Sequence, residues 1–332
     1  LTPPQGLAVK LRGMGEFELI ERYFKRPARQ SAVGIGDDCA IWTPQPGQQL
    51  ALSADMLVEG RHFLPTVHPR HLGHKALAVN LSDLAACGAT PRAFLLALSL
   101  PRADEDWLLG FSQGLFELAD AHACELIGGD TTQGPLNIAI TVLGETPHGQ
   151  AILRNTAQVG DDIYVSGHLG DARLALEVFR GTLSLPQAAF ELARARMETP
   201  TPRTELGMSL RGLATAMADI SDGLLGDLGH ILQASGVGAR LDLLAISRRL
   251  LTREAWDCPR EWMLRCVLTG GDDYELVFTA PQAARQALDA VALNCNTPVT
   301  RIGSITLDRA VLLVQENGDV LPNTFRAFDH FA

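Results

Sequence analysis

In this 332-residue chain glycines run into two adjacent aspartates at Asp37-Asp38 after "GIG" and at Asp272-Asp273 after "TGG". Further aspartates stand at Asp55 in "LSAD", Asp83 in "NLSDLAA", Asp130 in "IGGDTT", and Asp219 and Asp222 in "DISDG". Adjacent carboxylates about 6 Å apart repel by roughly 3 kcal/mol at an effective dielectric of about 20. On a surface turn, water screens such a pair. Glycine turns also bring backbone close to a phosphate or a metal. These acids lie where apolar runs meet turns, or on an otherwise apolar helix, without the Lys and Arg that accompany solvated acids.

Taken singly, each reads as a turn residue, and Asp222 also as the N-cap of a following helix. Asp83 is sharper: helical spacing puts Asn80 and Asp83 on one face, and an acid on a buried, alanine-rich helix needs a partner. Taken together, oxygen donors without histidine or cysteine suit Mg²⁺ or Ca²⁺ rather than zinc. With glycine turns, they suit nucleotide phosphates bridged by Mg²⁺. Structural turns and calcium sites are the competing readings.

The composition narrows the field. The only lysines are Lys10, Lys25 and Lys75, and none follows a glycine, so a Walker A loop is excluded. A net charge of −10 argues against a nucleic-acid surface; an acidic protein handling anionic substrates needs cations between them. The six cysteines form no C-x-x-C pair and read as buried free thiols in a reducing, cytoplasmic setting. No apolar run approaches the ~18 residues of a membrane span.

The elements that must position these acids follow from periodicity. Residues 1–14 read as a disordered extension, with Met14 just ahead of an amphipathic helix over 15–26. Strands are expected at 48–55, ending on Asp55, and at 93–101 and 136–145, with helices at 69–87 and 104–122. Pro147-His148-Gly149 marks a boundary between an N-terminal domain, 15–148, and a C-terminal domain, 149–332. The second half carries a strand at "DIYVSG", a helix at "GDARLALEVFRG", helices near 187–197, 202–213 and 223–235, and strands near 237–243, 274–280, 299–304 and 310–315. Strands and helices mix without strict βαβ alternation, which predicts α+β.

The stretches "GEFELIERYF", "GIGDDCA", "KALAVNLSDLAACGA", "LIGGDTTQG", "DISDGLLGDLGHI" and "GGDDYEL" together resemble the thiamine-monophosphate kinase family. Its superfamily also holds aminoimidazole ribonucleotide synthetase, selenophosphate synthetase and the hydrogenase maturation factor HypE. The resemblance runs in order from about residue 15 to the end. It implies an N-terminal mixed α/β domain whose sheet pairs with its copy in a homodimer, and a C-terminal α/β domain completing the site. The implied activity is ATP-dependent phosphorylation of thiamine monophosphate to thiamine diphosphate, by in-line transfer with several Mg²⁺ ions and no general base. Asp38, Asp55, Asp83, Asp130 and Asp219 would be Mg²⁺ ligands, with Asp222 on a further ion and Ser53 adding an oxygen. Ala54, a further metal position, stands where the family has Thr; a backbone carbonyl there would serve unchanged, whereas loss of a hydroxyl ligand would weaken one metal. Gly129, Asp130, Arg154 and Ser221 would meet ATP. His62, Asp272 (Glu in the family) and Phe328 in the tail "FRAFDHFA" would face thiamine monophosphate. Neither nucleic acid nor membrane is an implied partner. The rival readings are a sister enzyme similar to aminoimidazole ribonucleotide synthetase and a non-catalytic divalent-metal or nucleotide-binding protein.

Overall fold

The structure is a computed structural model that describes residues 15–31 and 33–325. The extension expected over 1–14 and the substrate contact expected at Phe328 lie outside the described residues. Helix α1 (Glu16–Leu19) runs into a π turn over Ile20–Phe24 and buries Leu19, Tyr23 and Phe24. There follow β1 (Gln48–Val58), α2 (Pro69–Ala86), β2 (Thr90–Leu100), α3 (Glu105–Ala121), β3 (Glu125–Gln133) and β4 (Asn137–Pro147). The second half comprises β5 (Asp162–Ser166), α4 (Asp171–Phe179), α5 (Gln187–Glu198), α6 (Thr204–Ser209), β6 (Ala216–Ile220), α7 (Leu224–Ser235) and β7 (Gly238–Asp242). It ends with α8 (Leu243–Ser247), α9 (Arg260–Thr269), β8 (Glu275–Ala280), α10 (Arg285–Asn294), β9 (Val299–Thr306), β10 (Val311–Val314) and β11 (Val320–Leu321).

Two mixed sheets result, in the order β1-β4-β2-β3 and β11-β10-β7-β9-β5-β8-β6. Only the β2–β3 and β10–β7 pairs are parallel, which makes the architecture the expected α+β. In β1 the side chains alternate. Ala51, Ser53, Asp55 and Leu57 turn towards the helices, whereas Leu50, Leu52, Ala54 and Met56 are exposed on the other face.

Helix α2 ties the halves together. It begins with Pro69 at its first turn, and the His68 side chain accepts from Arg70 N at 3.2 Å. It is apolar nearly all round, as a helix enclosed on all sides must be. Leu77, Leu81 and Leu84 join Phe94, Phe111 and Leu115 in the first core. Ala85 and Ala86 instead pack with Leu206, Met217, Leu276 and Phe278 of the second half. Its closest neighbour is α3: a Cβ on Gly114 would lie 1.8 Å from Arg70 O, and one on Gly73 2.0 Å from Phe111 O. Only glycines allow the two backbones to meet there.

Several expected boundaries move. β1 continues past Asp55 to Val58. The second-half helix expected over 202–213 is confined to Thr204–Ser209. Asp130 and Asp219, each of which taken singly reads as a turn residue, lie instead within strands β3 and β6. Only Cys124 and Cys266 are buried; Cys39 is exposed and the other three are half-buried, which corrects the reading of uniformly buried thiols. Burial raises the Cys124 and Cys266 thiol pKa values.

The second sheet is pinned by Glu275, which is fully buried. It accepts from Ser166 Oγ at 2.6 Å, Arg196 Nη2 at 2.7 Å, and both Arg203 Nε and Nη2 at 2.7 and 2.6 Å. Burial pushes its pKa up, but Arg203 and Arg196 outweigh that and hold it below the usual carboxylate value. Removing one member of a buried ion pair leaves an uncompensated charge, which costs about 3–5 kcal/mol. Glu275→Gln should therefore lower the urea unfolding free energy by about 3 kcal/mol. A loss under about 1 kcal/mol would mean that the pair behaves as a solvated one.

Candidate active site

Between the two halves lies a cavity of about 430 Å³. Asp55 from β1 and Asp83 from α2 line one wall with Asp219 from β6 and with Ser221 and Asp222 just beyond it. Backbone and hydroxyl donors hold these acids in place. Asp55 N donates to Asn80 Oδ1 at 3.2 Å, and Asn80 Nδ2 donates to Ala76 O at 2.9 Å. Ser53 Oγ donates to Asp83 Oδ2. Ser82 Oγ crosses between the halves to Asp219 Oδ2 at 2.8 Å. Asp227, on the first turn of α7, accepts the N–H groups of Ser221, Asp222 and Gly223, each at 3.1 Å, and so fixes the loop that carries Asp222.

The electrostatics follow from this crowding. Burial, then the neighbouring Asp83 and Asp222, push the Asp55 pKa up to about 6. Burial, then Asp83, push Asp219 up to about 8. Burial also raises Asp83, against the opposing pull of Ser53 and Arg154. Among the described residues, none of Asp55, Asp83, Asp219 and Asp222 forms an ion pair. Arg154 is thus placed within electrostatic reach of Asp83, although its side chain is exposed.

The same cavity is lined by His62 and Asp272, both expected to face substrate. His62 Nδ1 accepts from Val58 N at 3.0 Å, and Asp272 Oδ2 lies 3.0 Å from Lys75 Nζ. Tyr274 OH donates to Asp272 Oδ1 at 3.0 Å.

Asp38, Ala54, Gly129 and Asp130 are not drawn in. Asp38 is exposed, and its N–H donates to Asp37 Oδ1 at 2.8 Å. Ala54 points to the open face of the sheet, away from Ser53 and Asp55. Gly129 has φ +147°, and a Cβ on it would meet Leu96 O at 1.8 Å; it pairs with Leu96 two residues past Ile127, where the β2–β3 register shifts. Register places Asp55, Ile140, Leu96 and Gly129 in one row across the sheet. Three strand spacings separate the ends of that row, about 14 Å. The exposed Asp130 and the buried wall therefore belong to opposite edges of one sheet.

The donor set is all oxygen, like-charged and short of counter-cations, which fits a hard divalent ion. Among the described residues, no three His, Cys, Asp or Glu side chains stand close enough to hold one metal ion within the single chain.

The sequence reading passed over Lys75, Asp227 and Tyr274. A lysine within "GHKALAV", eight residues before Asp83 and so on the same helical face, was the available signal for the first.

The family described as AIR synthase related protein matches here with both its domains: the N-terminal one over residues 36–146 and the C-terminal one over 158–314. Thiamine-monophosphate kinase of Escherichia coli (strain K12) is 44% identical over 330 residues, covering 96% of this chain and 98% of that one. The chain belongs to the thiamine-monophosphate kinase family. The enzyme of that name from Bacillus subtilis is 32% identical over 333 residues, covering 96% of this chain and all of that one. The crystal structure of thiamine-monophosphate kinase from Stenotrophomonas maltophilia K279a superposes with a TM-score of 0.80 at 44% identity, covering 92% and 96% of the two chains. AaThiL complexed with AMPPCP and TMP superposes with a TM-score of 0.72 at 29% identity, covering 87% and 89%. Hydrogenase maturation protein HypE in complex with ATP, at 21% identity and a TM-score of 0.73, shares the fold.

A raised carboxyl pKa means that folding takes up a proton. The stability it contributes is complete below the unfolded value of 3.8 and is lost as pH rises through the folded value, about 8 for Asp219. In a chelator, the unfolding free energy should thus fall from pH 6.5 to pH 8, a window above the ordinary histidine pKa of about 6.5. Asp219→Asn should show a shallower fall, measured by urea titration at both pH values. Equal slopes in the two proteins would contradict a raised carboxyl pKa at Asp219.

Proposed function

We propose that the chain transfers the γ-phosphoryl group of ATP directly to thiamine monophosphate, giving thiamine diphosphate and ADP. The kinase class comes from its family; the observation that carries the finer reading is the interdomain wall of Asp55, Asp83, Asp219 and Asp222, to which no basic side chain is paired among the described residues. The nucleophile is a phosphate oxygen of the substrate. A phosphate monoester has its second pKa near about 6 and is already dianionic at neutral pH, so no general base is needed. Catalysis reduces to alignment and charge neutralisation.

Asp55, Asp83, Asp219 and Asp222 would hold Mg²⁺ ions with Ser53, joined by Asp38, the Ala54 carbonyl and Asp130. Bound there, the ions supply the positive charge that lets two phosphates approach. The backbone at Gly129, with Asp130, Arg154 and Ser221, receives the nucleotide. His62 and Asp272 meet thiamine monophosphate, with Phe328. The N-terminal half, up to about residue 148, supplies most of the metal ligands, and the C-terminal half closes the site. The complex with AMPPCP and TMP in a relative of the same fold supports the pairing of these two substrates. The reaction belongs to the cytoplasm in this reading; among the described residues no helix is long and apolar enough to cross a membrane.

A homodimer is part of the proposal. Leu50, Leu52, Met56 and Leu95 are 44, 63, 54 and 36% exposed on the uncovered face of the first sheet, and a contiguous apolar face of this kind marks an interaction surface. A second copy there would also bring an Asp130 towards an Asp55 that its own chain keeps three strands away.

Two measurements test this reading. Purified protein with ATP and Mg²⁺ should release ADP only when thiamine monophosphate is added; ADP release without it would overturn the assignment. Leu52→Glu should convert a dimer into a monomer by light scattering and lower turnover at least about tenfold. A fully active monomer would contradict the shared site.

A further inference from the structure

Lys75 is 3% exposed, and a buried ammonium needs a partner. Its Nζ lies 3.0 Å from Asp272 Oδ2 and 3.4 Å from the His62 carbonyl oxygen. One side chain therefore joins the two residues that the proposed function sets against thiamine monophosphate, one from each half of the molecule. Asp272 is held from its other oxygen too, by the Tyr274 hydroxyl at 3.0 Å. Tyr274 belongs to the second half but is buried in the hydrophobic core of the first.

The backbone of this loop is strained on both sides of Asp273. Asp272 has φ +67° and Tyr274 φ +50°, a region that residues other than glycine rarely occupy. Both are locked by hydrogen bonds to the end of β6 and the residue that follows it: Asp272 N to Ser221 O and Tyr274 N to Ile220 O, each at 2.9 Å. Asp273 between them accepts from Gly170 N with both oxygens at 2.9 Å. Strain kept in place by surrounding bonds points to a constrained side chain with a task. The side chain so aimed is Asp272, and its ionic partner is Lys75.

Helical geometry adds the spacing. Lys75, Val79 and Asp83 share one face of α2 and all line the cavity. Lys75 and Asp83 lie eight residues apart, about 12 Å along the axis. The helix thus sets the distance between the carboxylate wall and the Lys75–Asp272 pair as a rigid rule would.

We propose that Lys75 is the positioning residue for thiamine monophosphate. It holds the Asp272 carboxylate and the His62 loop as one surface of the cavity, about 12 Å along α2 from Asp83. This rests on the reading of the site given above. Lys75 acts through Asp272, so removing either partner disables the same surface.

Steady-state kinetics of wild type, Lys75→Met, Asp272→Asn and the double variant test this, with thiamine monophosphate and ATP varied in turn. Lys75→Met should raise the KM for thiamine monophosphate about ten- to a hundredfold, the range of a charged hydrogen bond. The KM for ATP should change by less than about threefold. The double variant should be no worse than the poorer single one, because the two residues act as a unit. Should Lys75→Met fail to fold by circular dichroism, Lys75→Gln carries the same comparison. An unchanged KM for thiamine monophosphate, an equal rise in both KM values, or additive losses in the double variant would overturn the proposal while leaving the kinase reading intact. A wild-type protein without thiamine-monophosphate-dependent turnover would overturn both.

Discussion

Like charges crowded into a seam are the constraint on which this molecule is built. Asp55 and Asp83 come from the first half and Asp219 and Asp222 from the second, yet all line one cavity. Each raises the proton affinity of another: Asp83 and Asp222 act on Asp55, and Asp83 on Asp219. Bringing such groups together opposes folding, so other contacts must close the seam. The apolar contacts of Ala85 and Ala86 with Leu206, Met217, Leu276 and Phe278 do this. So does the bond from Ser82 to Asp219, which satisfies a carboxylate without neutralising it. The acids thus stay available to a cation from solution.

Helix α2 makes this possible because it is a ruler as well as a buttress. Its residues meet α3 on one side, where Gly73 and Gly114 allow backbone contact, and the second half on the other. Its cavity-facing positions carry Lys75 and, eight residues on, Asp83. The same rigidity leaves the sheet's other face uncovered, with Leu52 and Met56 on it. The gap between Asp55 and Gly129 across that sheet explains why one copy alone assembles only part of the proposed ligand set.

Much of this was readable from sequence. The helix over 69–87 and its buried acid followed from periodicity, and the mixed order of elements predicted the α+β class. What escaped has physical causes. "IGGDTT" reads as a turn because two glycines precede an acid, but both pair with β2 inside β3, where Gly129 lies against the Leu96 carbonyl. "AMADI" is only five residues long and buried throughout, so no alternation reveals β6. Lys75 escaped because a lone lysine in a helix usually reaches solvent; its burial depends on Asp272, nearly two hundred residues away. The convergence of Asp83 with Asp219 is likewise a tertiary fact that spacing cannot carry. Motif resemblance named these residues, and the fold supplied the reason they are together.

The central claim is that the seam is electrostatically incomplete until a divalent cation joins it. The most direct measurement is the thermal unfolding midpoint at pH 8 with and without Mg²⁺, in the presence of a non-hydrolysable ATP analogue, for the wild type and for Asp83→Asn. The account predicts that Mg²⁺ raises the wild-type midpoint by several degrees, about what 1–3 kcal/mol of linked binding gives a protein of this size. It predicts a much smaller rise in the variant. An equal rise in both proteins, or none in the wild type, would contradict it.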